Sequence, residues 1–241
     1  MKNVILAAAV LAAFGSAALA ESHSVVRVAT EAAYPPYNFI NDAGEIDGFD
    51  REVGNEVCIR AELTCEWVAN DWDSIIPNLV SGNYDVIVAG MSITDERKEV
   101  IDFSEQYTLP DPSAFMAMGD VDVTSGAIAA QAGTIQASYV TSLEGAVLLE
   151  FASPDETVAA VKNGEADAVL ADKAYLVPIV ETDAEMSFVG DDVAIGGGIG
   201  MGVRQSDTEL RDKLTAAIAS MKADGTLNAL ITKWLPDSAT F

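Results

Sequence analysis

The feature that most constrains this chain is a rhythm. Runs of Val, Ile, Ala and Met short enough for strands alternate with stretches of helical apolar spacing. Such alternation marks an α/β protein, because a helix after each strand returns the chain for another strand running the same way in a mostly parallel sheet. The pattern predicts strands over 25–30, 64–68, 85–90, 115–118, 128–130, 168–170 and 199–203. It predicts helices over 50–63, 73–81, 136–143, 155–163, 173–180 and 208–223, with a short last one near Trp234. Ser153-Pro154-Asp155-Glu156 reads as a helix start, and Asn163-Gly164 and Asp224-Gly225 read as helix stops.

Two stretches break the rhythm, "TLPDPS" at 108–113 and "VGDDVAIGGG" at 189–198. They cut the chain into three pieces, and the middle piece is too small to hold a ligand pocket alone. One crossing out and one back would make residues 21–111 with 191–241 one lobe and residues 112–190 the other. A cleft between two lobes is a natural ligand site.

At the N-terminus Lys2 precedes an apolar stretch from Val4 to Phe14 and then Ala18-Leu19-Ala20. That order predicts a cleavable secretory signal over 1–20, a mature start at Glu21, and export. No other window approaches the roughly twenty apolar residues of a membrane span. With 13 basic and 38 acidic residues the formal net charge is -25, which speaks against nucleic acid or an anionic membrane surface as partner. In an oxidising compartment Cys58 and Cys65, the only cysteines, read as a disulfide staple worth about 2.5 kcal/mol in the chain-entropy account. Neither Cys-x-x-Cys nor further ligands accompany them, so a redox or zinc role lacks support.

Enzyme chemistry has little to work with. The only histidine, His23, lies two residues from the expected cleavage point, leaving no base for a Ser/His/Asp or Cys/His arrangement. No EF-hand spacing occurs and no cofactor is expected. "GGGIGMG" at 196–202 fits no register of G-x-G-x-x-G and reads as close backbone packing in a strand and hinge. "AGMSITDER" at 89–97 is more suggestive, with small and polar Gly90, Ser92 and Thr94 leading to Arg97 in a chain this acidic. The same letters fit two structures. One is an anion pocket; the other is a strand end, a Thr94 cap with Asp95 and Glu96 in the first helical turn, and a solvated arginine.

Taken together, "VATEAAYPPYNF", "GFDREV", "DWDSIIPNLVSGNYDVIVAGMSITDERKEVIDFSEQY", "QAGTIQASY", "NGEADAVLADKAY" and "GVRQSDTELRDKLTAAIASMKADGTLNALITKWL" resemble the polar amino acid binding proteins of bacterial ABC importers. The resemblance spans nearly the whole mature chain. It implies the two-lobed periplasmic binding protein fold (type II) in a monomer. Such a protein captures an L-amino acid between its lobes and delivers it to an inner-membrane permease.

Carried over residue by residue, the family pattern gives Arg97 the ligand's α-carboxylate, which a planar guanidinium can take with two bonds. Ser92 matches a hydroxyl donor to the same group, and Thr134 a donor from the second lobe. Gly90 lies where the backbone accepts the α-ammonium, and Asp172 matches the carboxylate completing that ammonium site. Tyr34 and Trp72 match aromatic walls around the side chain, and Glu31 an acid at the far end. Ala89 and Ile135 depart from the pattern, standing where some relatives carry serine and threonine, and the segment before "IAAQAGT" is shorter than usual. Cys58-x6-Cys65 and "TEAAYPP" are similar to the binders of arginine, lysine, ornithine and histidine, although glutamine binders also carry an acid at the Glu31 position. Periplasmic cyclohexadienyl dehydratases share the scaffold; on that alternative Glu31 or Asp172 would be a general acid.

Overall fold

The computed structural model describes residues 25–241, so the expected signal over 1–20, the Glu21 start and His23 lie outside the described residues. The first strand, β1 (Val26–Thr30), is buried at every position but Arg27, as in a strand covered on both faces. A small antiparallel sheet follows, made of β2 (Ala33–Tyr34), β3 (Asn38–Ile40) and β4 (Ile46–Asp47). Helix α1 (Phe49–Arg60) buries Phe49, Val53 and Val57, and the disulfide between Cys58 and Cys65 ties its last turn to β5 (Cys65–Ala69). Then come α2 (Trp72–Val80), β6 (Val86–Ile87), α3 (Asp95–Lys98) and β7 (Ile101–Phe103).

The middle of the chain alternates as expected: β8 (Ser113–Ala117), β9 (Ala127–Gln131), α4 (Ile135–Thr141), β10 (Val147–Phe151), α5 (Pro154–Lys162), β11 (Ala168–Asp172), α6 (Lys173–Thr182) and β12 (Ser187–Val193). Helix α5 begins with a full capping box between Ser153 and Glu156, as the Ser-Pro-Asp-Glu string predicts. The chain closes with β13 (Gly202–Arg204), α7 (Thr208–Asp224) and α8 (Thr226–Trp234), the two helices separated by Gly225 at φ 82°.

The strands form two five-stranded sheets, ordered β5-β1-β6-β13-β7 and β10-β9-β11-β8-β12. In each, four strands run the same way and one opposes them. The odd strand is the one by which the chain arrives from the other sheet, β8 or β13. Ser113 at the start of β8 pairs with Asp172 at the end of β11, so the newcomer enters at the carboxyl ends of its neighbours and must run against them. Each sheet is covered on both faces. Phe49, Val53, Ile218 and Ile231 pack on one side of the first sheet and Ile75, Leu79 and Ile101 on the other. Val161 and Leu176 flank the second sheet on one side, Val140 and Phe115 on the other. Among the described residues no helix is long and apolar enough to cross a membrane.

Several expected bounds shift for identifiable reasons. The strand expected over 85–90 is only Val86–Ile87, because Gly90 turns the chain at φ 60°. The strand expected over 199–203 begins at Gly202, preceded by a single bridge between Ile199 and Ser92. The glycines before it are packing positions: a Cβ on Gly197 would stand 2.9 Å from the Ile93 carbonyl oxygen, and one on Gly200 2.8 Å from the Ile93 side chain. Six strands were not anticipated. β2, β3, β4 and β7 have two or three residues each, while β10 and β12 are edge strands with exposed charged positions and no clean alternation. β12 stays paired to β8 as far as Val193, so the second sheet extends past residue 190.

Candidate ligand-binding site

The carboxyl ends of strands from both sheets converge on one cleft. Glu31 follows β1, Ala89 and Gly90 follow β6, Gln131 ends β9 and Asp172 ends β11. Open α/β sheets bind ligands there, where loops and helix N-termini offer polar groups. The cleft is lined by all eight expected residues, Glu31, Tyr34, Trp72, Gly90, Ser92, Arg97, Thr134 and Asp172. Ala89 and Ile135, the two departures from the family pattern, also line it, as do Gln131 and Gln136.

Of the two structures allowed by "AGMSITDER", the helix cap is present but the solvated arginine is not. Thr94 caps α3 by accepting the Arg97 amide at 3.2 Å, with Asp95 and Glu96 in the first turn. The Arg97 side chain nonetheless lies in the cleft. Its Nη1 donates to the Ser92 carbonyl at 2.8 Å, its Nη2 reaches the Gly133 carbonyl at 3.4 Å, and its guanidinium stands 5.3 Å from the Trp72 ring. Desolvation lowers Arg97 to about 10, against the attraction of Asp172 and Glu96, so it remains a cation at neutral pH.

Asp172 occupies the N-cap position of α6 yet makes no side-chain cap. Its Oδ2 accepts the Tyr34 hydroxyl at 3.0 Å and its Oδ1 accepts Gln136 Nε2 at 2.9 Å. Burial pushes this carboxyl up to about 6, opposed by Tyr34, Arg97 and Gln136. The Tyr34 ring is stacked between Tyr37 and Tyr175, with centroids 5.8 and 4.4 Å away. At the other end of the cleft Glu31 accepts Gln131 Nε2 at 2.6 Å. Burial raises Glu31 to about 7 despite that bond, with Asp71 and Asp155 adding like-charge repulsion.

Thr134 sits differently from its expected role. Its hydroxyl accepts the Ala137 amide at 3.2 Å as the cap of α4 and gives its proton to the Gln131 carbonyl at 2.7 Å. In this conformation that proton is already used. Gln131 and Gln136 are lining positions that sequence reasoning passed over. The available signal was their setting, two amides flanking the Gly133-Thr134 turn of "QAGTIQ", one closing a strand and one opening a helix. Both are buried, which is unusual for glutamine and demands partners.

The cleft therefore offers a cation, two carboxylates and aromatic faces within one enclosure between two sheets. Residues 26–237 match the bacterial extracellular solute-binding proteins, family 3. The chain belongs to that family. Its fold is the two-lobed α/β fold of the periplasmic binding proteins. Among family 3 relatives, the L-arginine-binding protein of Pseudomonas aeruginosa is 32% identical over 87% of each chain. The lysine/arginine/ornithine-binding periplasmic protein of Escherichia coli K12 is 30% identical over 97% of each chain. A solved periplasmic His/Glu/Gln/Arg/opine family-binding protein from Silicibacter pomeroyi, in complex with lysine, is 65% identical. It covers 90% of this chain and 100% of its own, with a TM-score of 0.87.

Proposed function

We propose that this family 3 protein is the periplasmic substrate-binding component of an amino acid ABC importer. It acts as a monomer, takes a polar and preferably basic L-amino acid into the cleft, and hands it to the inner-membrane permease. No bond is made or broken. The observation that carries this reading is the charge layout: Arg97 stands with Asp172 and Glu31 in one cleft whose aromatic walls are Tyr34 and Trp72. A zwitterion needs a cation for one end and an anion for the other, and a basic side chain needs a second anion.

In this scheme Arg97 and Ser92 take the α-carboxylate, with Thr134 donating from across the cleft once its hydroxyl turns from the Gln131 carbonyl. Asp172 and the Gly90 carbonyl take the α-ammonium. Glu31, held by Gln131, receives the distal cation, while Trp72 adds cation–π attraction. Residues 25–111 with those after Val193 move as one lobe against 112–193, because β12 stays paired with β8 as far as Val193. The dehydratase alternative, which would use Glu31 or Asp172 as a general acid, is disfavoured by the family relatives, which are named for binding amino acids.

Titration calorimetry with arginine, lysine, histidine, glutamine and glutamate tests the proposal. Tightest binding is expected among the basic three. Glutamine or glutamate winning by more than about tenfold, 1.4 kcal/mol, would overturn the basic preference alone. Turnover of prephenate or arogenate, with no amino acid bound, would overturn the function.

A further inference from the structure

Beneath the cleft lies a buried carboxyl group that the ligand scheme does not use. Asp50, in the motif "GFDREV", sits in the first turn of α1 with no exposed surface. Its Oδ1 accepts the Tyr107 hydroxyl at 2.7 Å and its Oδ2 accepts Asn38 Nδ2 at 2.8 Å. Tyr107 and Asn38 are buried as deeply. Both partners are neutral, and burial raises the Asp50 carboxyl to about 7. An apolar residue here would leave the Tyr107 hydroxyl and Asn38 Nδ2 unpaired, yet burial by itself does not account for an acid at this place.

What the acid does account for is the backbone beyond Asn38. The second polar atom of Asn38, Oδ1, accepts the amide of Ala32 at 2.7 Å. Ala32 has φ 61°, a left-handed conformation that residues with a Cβ seldom adopt, and it directly follows Glu31. Through Asn38 the buried network thus reaches a place where the wall departs from ordinary backbone.

We propose that Asp50 is a positioning residue for the ligand cleft: with Tyr107 and Asn38 it fixes the backbone at Ala32, and so aims the adjacent Glu31 carboxylate at the ligand. The inference rests on the amino acid binding proposed above. An amide in place of the acid breaks the network at a defined point. Asn38 Nδ2 would face a second NH2 group, or Tyr107 would lose its acceptor. If Asn38 turned over to adapt, it would withdraw its oxygen from the Ala32 amide.

The test compares lysine binding by the unsubstituted protein, Asp50→Asn, the exchange Asp50→Asn with Asn38→Asp, and Tyr107→Phe, each checked for folding by circular dichroism. Asp50→Asn is expected to weaken lysine binding by about tenfold or more, and the exchange to restore it to within about threefold, since it rebuilds the donor–acceptor order. A purely structural role would lower the melting temperature and leave the affinity of the folded protein unchanged. Folded Asp50→Asn with affinity within about threefold of the unsubstituted protein overturns the inference while the function stands. Should Asp50→Asn fail to fold, Tyr107→Phe decides, because it removes one hydroxyl and little volume; a loss of threefold or more is expected, and unchanged affinity overturns the inference. If the unsubstituted protein binds none of the five amino acids, the function and the inference fall together.

Discussion

Tyr34 and Asp172, 138 residues apart in the chain, exchange two hydrogen bonds across the cleft: the phenol donates to the carboxylate at 3.0 Å, and the Asp172 amide donates to the phenol oxygen at 3.1 Å. The phenol favours the charged form of a carboxyl that burial has raised to about 6. Tyr34→Phe should leave a folded protein, raise the Asp172 pKa further, and weaken amino acid binding by about 1–2 kcal/mol. The loss should be larger at pH 6 than at pH 8, because more Asp172 is then neutral. Calorimetry at the two pH values measures this, and equal affinity at both would refute it.

The Arg97 side chain bonds only to two carbonyls at the cleft, Ser92 on its own side and Gly133 on the other, and to no core element. Arg97→Ala should therefore fold with a near-normal melting temperature and lose about 3 kcal/mol of binding, more than a hundredfold. Near-normal affinity would reduce Arg97 to a surface charge.

The ligand-free protein should gain stability on mild acidification. Burial raises Glu31 from 4.5 and Asp50 from 3.8, both to about 7, and Asp172 from 3.8 to about 6. Between the unfolded and folded pKa values the folded state binds more protons, so the penalty for these three groups is fully present above about pH 7 and relieved as pH falls toward 5. Each pK unit is worth about 1.4 kcal/mol. Chemical denaturation between pH 8 and pH 5 reads the slope, and Glu31→Gln should flatten it. A slope unchanged by that substitution would show that Glu31 is well hydrated.

Asp85 joins three strands of the first sheet. It accepts the Arg27 amide and guanidinium at 3.0 Å and Arg204 Nη2 at 2.9 Å, and although burial opposes ionisation these partners hold it down to about 2. Asp85→Asn should cost about 2 kcal/mol of unfolding free energy with little change in ligand affinity. Denaturant titration beside calorimetry separates the two, and a loss of affinity equal to the loss of stability would place Asp85 in the ligand site instead.

The alternation of strands and helices was legible because each central strand is a continuous apolar run and several helices carry strong stops. Edge strands were not. β12 keeps Asp191 and Asp192 exposed, so its residues look like the hinge they lead into. In the cleft, charged and aromatic residues were legible from ordered motifs. Gln131 was not, because an amide has no charge to notice and its partner Glu31 is 100 residues away. Thr134 was legible as a lining residue of the cleft, but not that its hydroxyl, in this conformation, is held by its own helix start.

The odd strand in each sheet also sets an order of assembly. The second sheet is complete once the chain from Ser113 to Val193 is available. The first is not, because β7 pairs only with β13, almost a hundred residues later, and until β13 arrives β6 has an open edge as well. Closing so long a loop is slow relative to the local pairings of the second sheet. A nascent or refolding chain would thus reach a stage with one lobe built and the other waiting, its β6 edge exposed to any passing strand. The Asp85–Arg204 contact forms only when that wait ends, which makes it a reporter of the last step of folding.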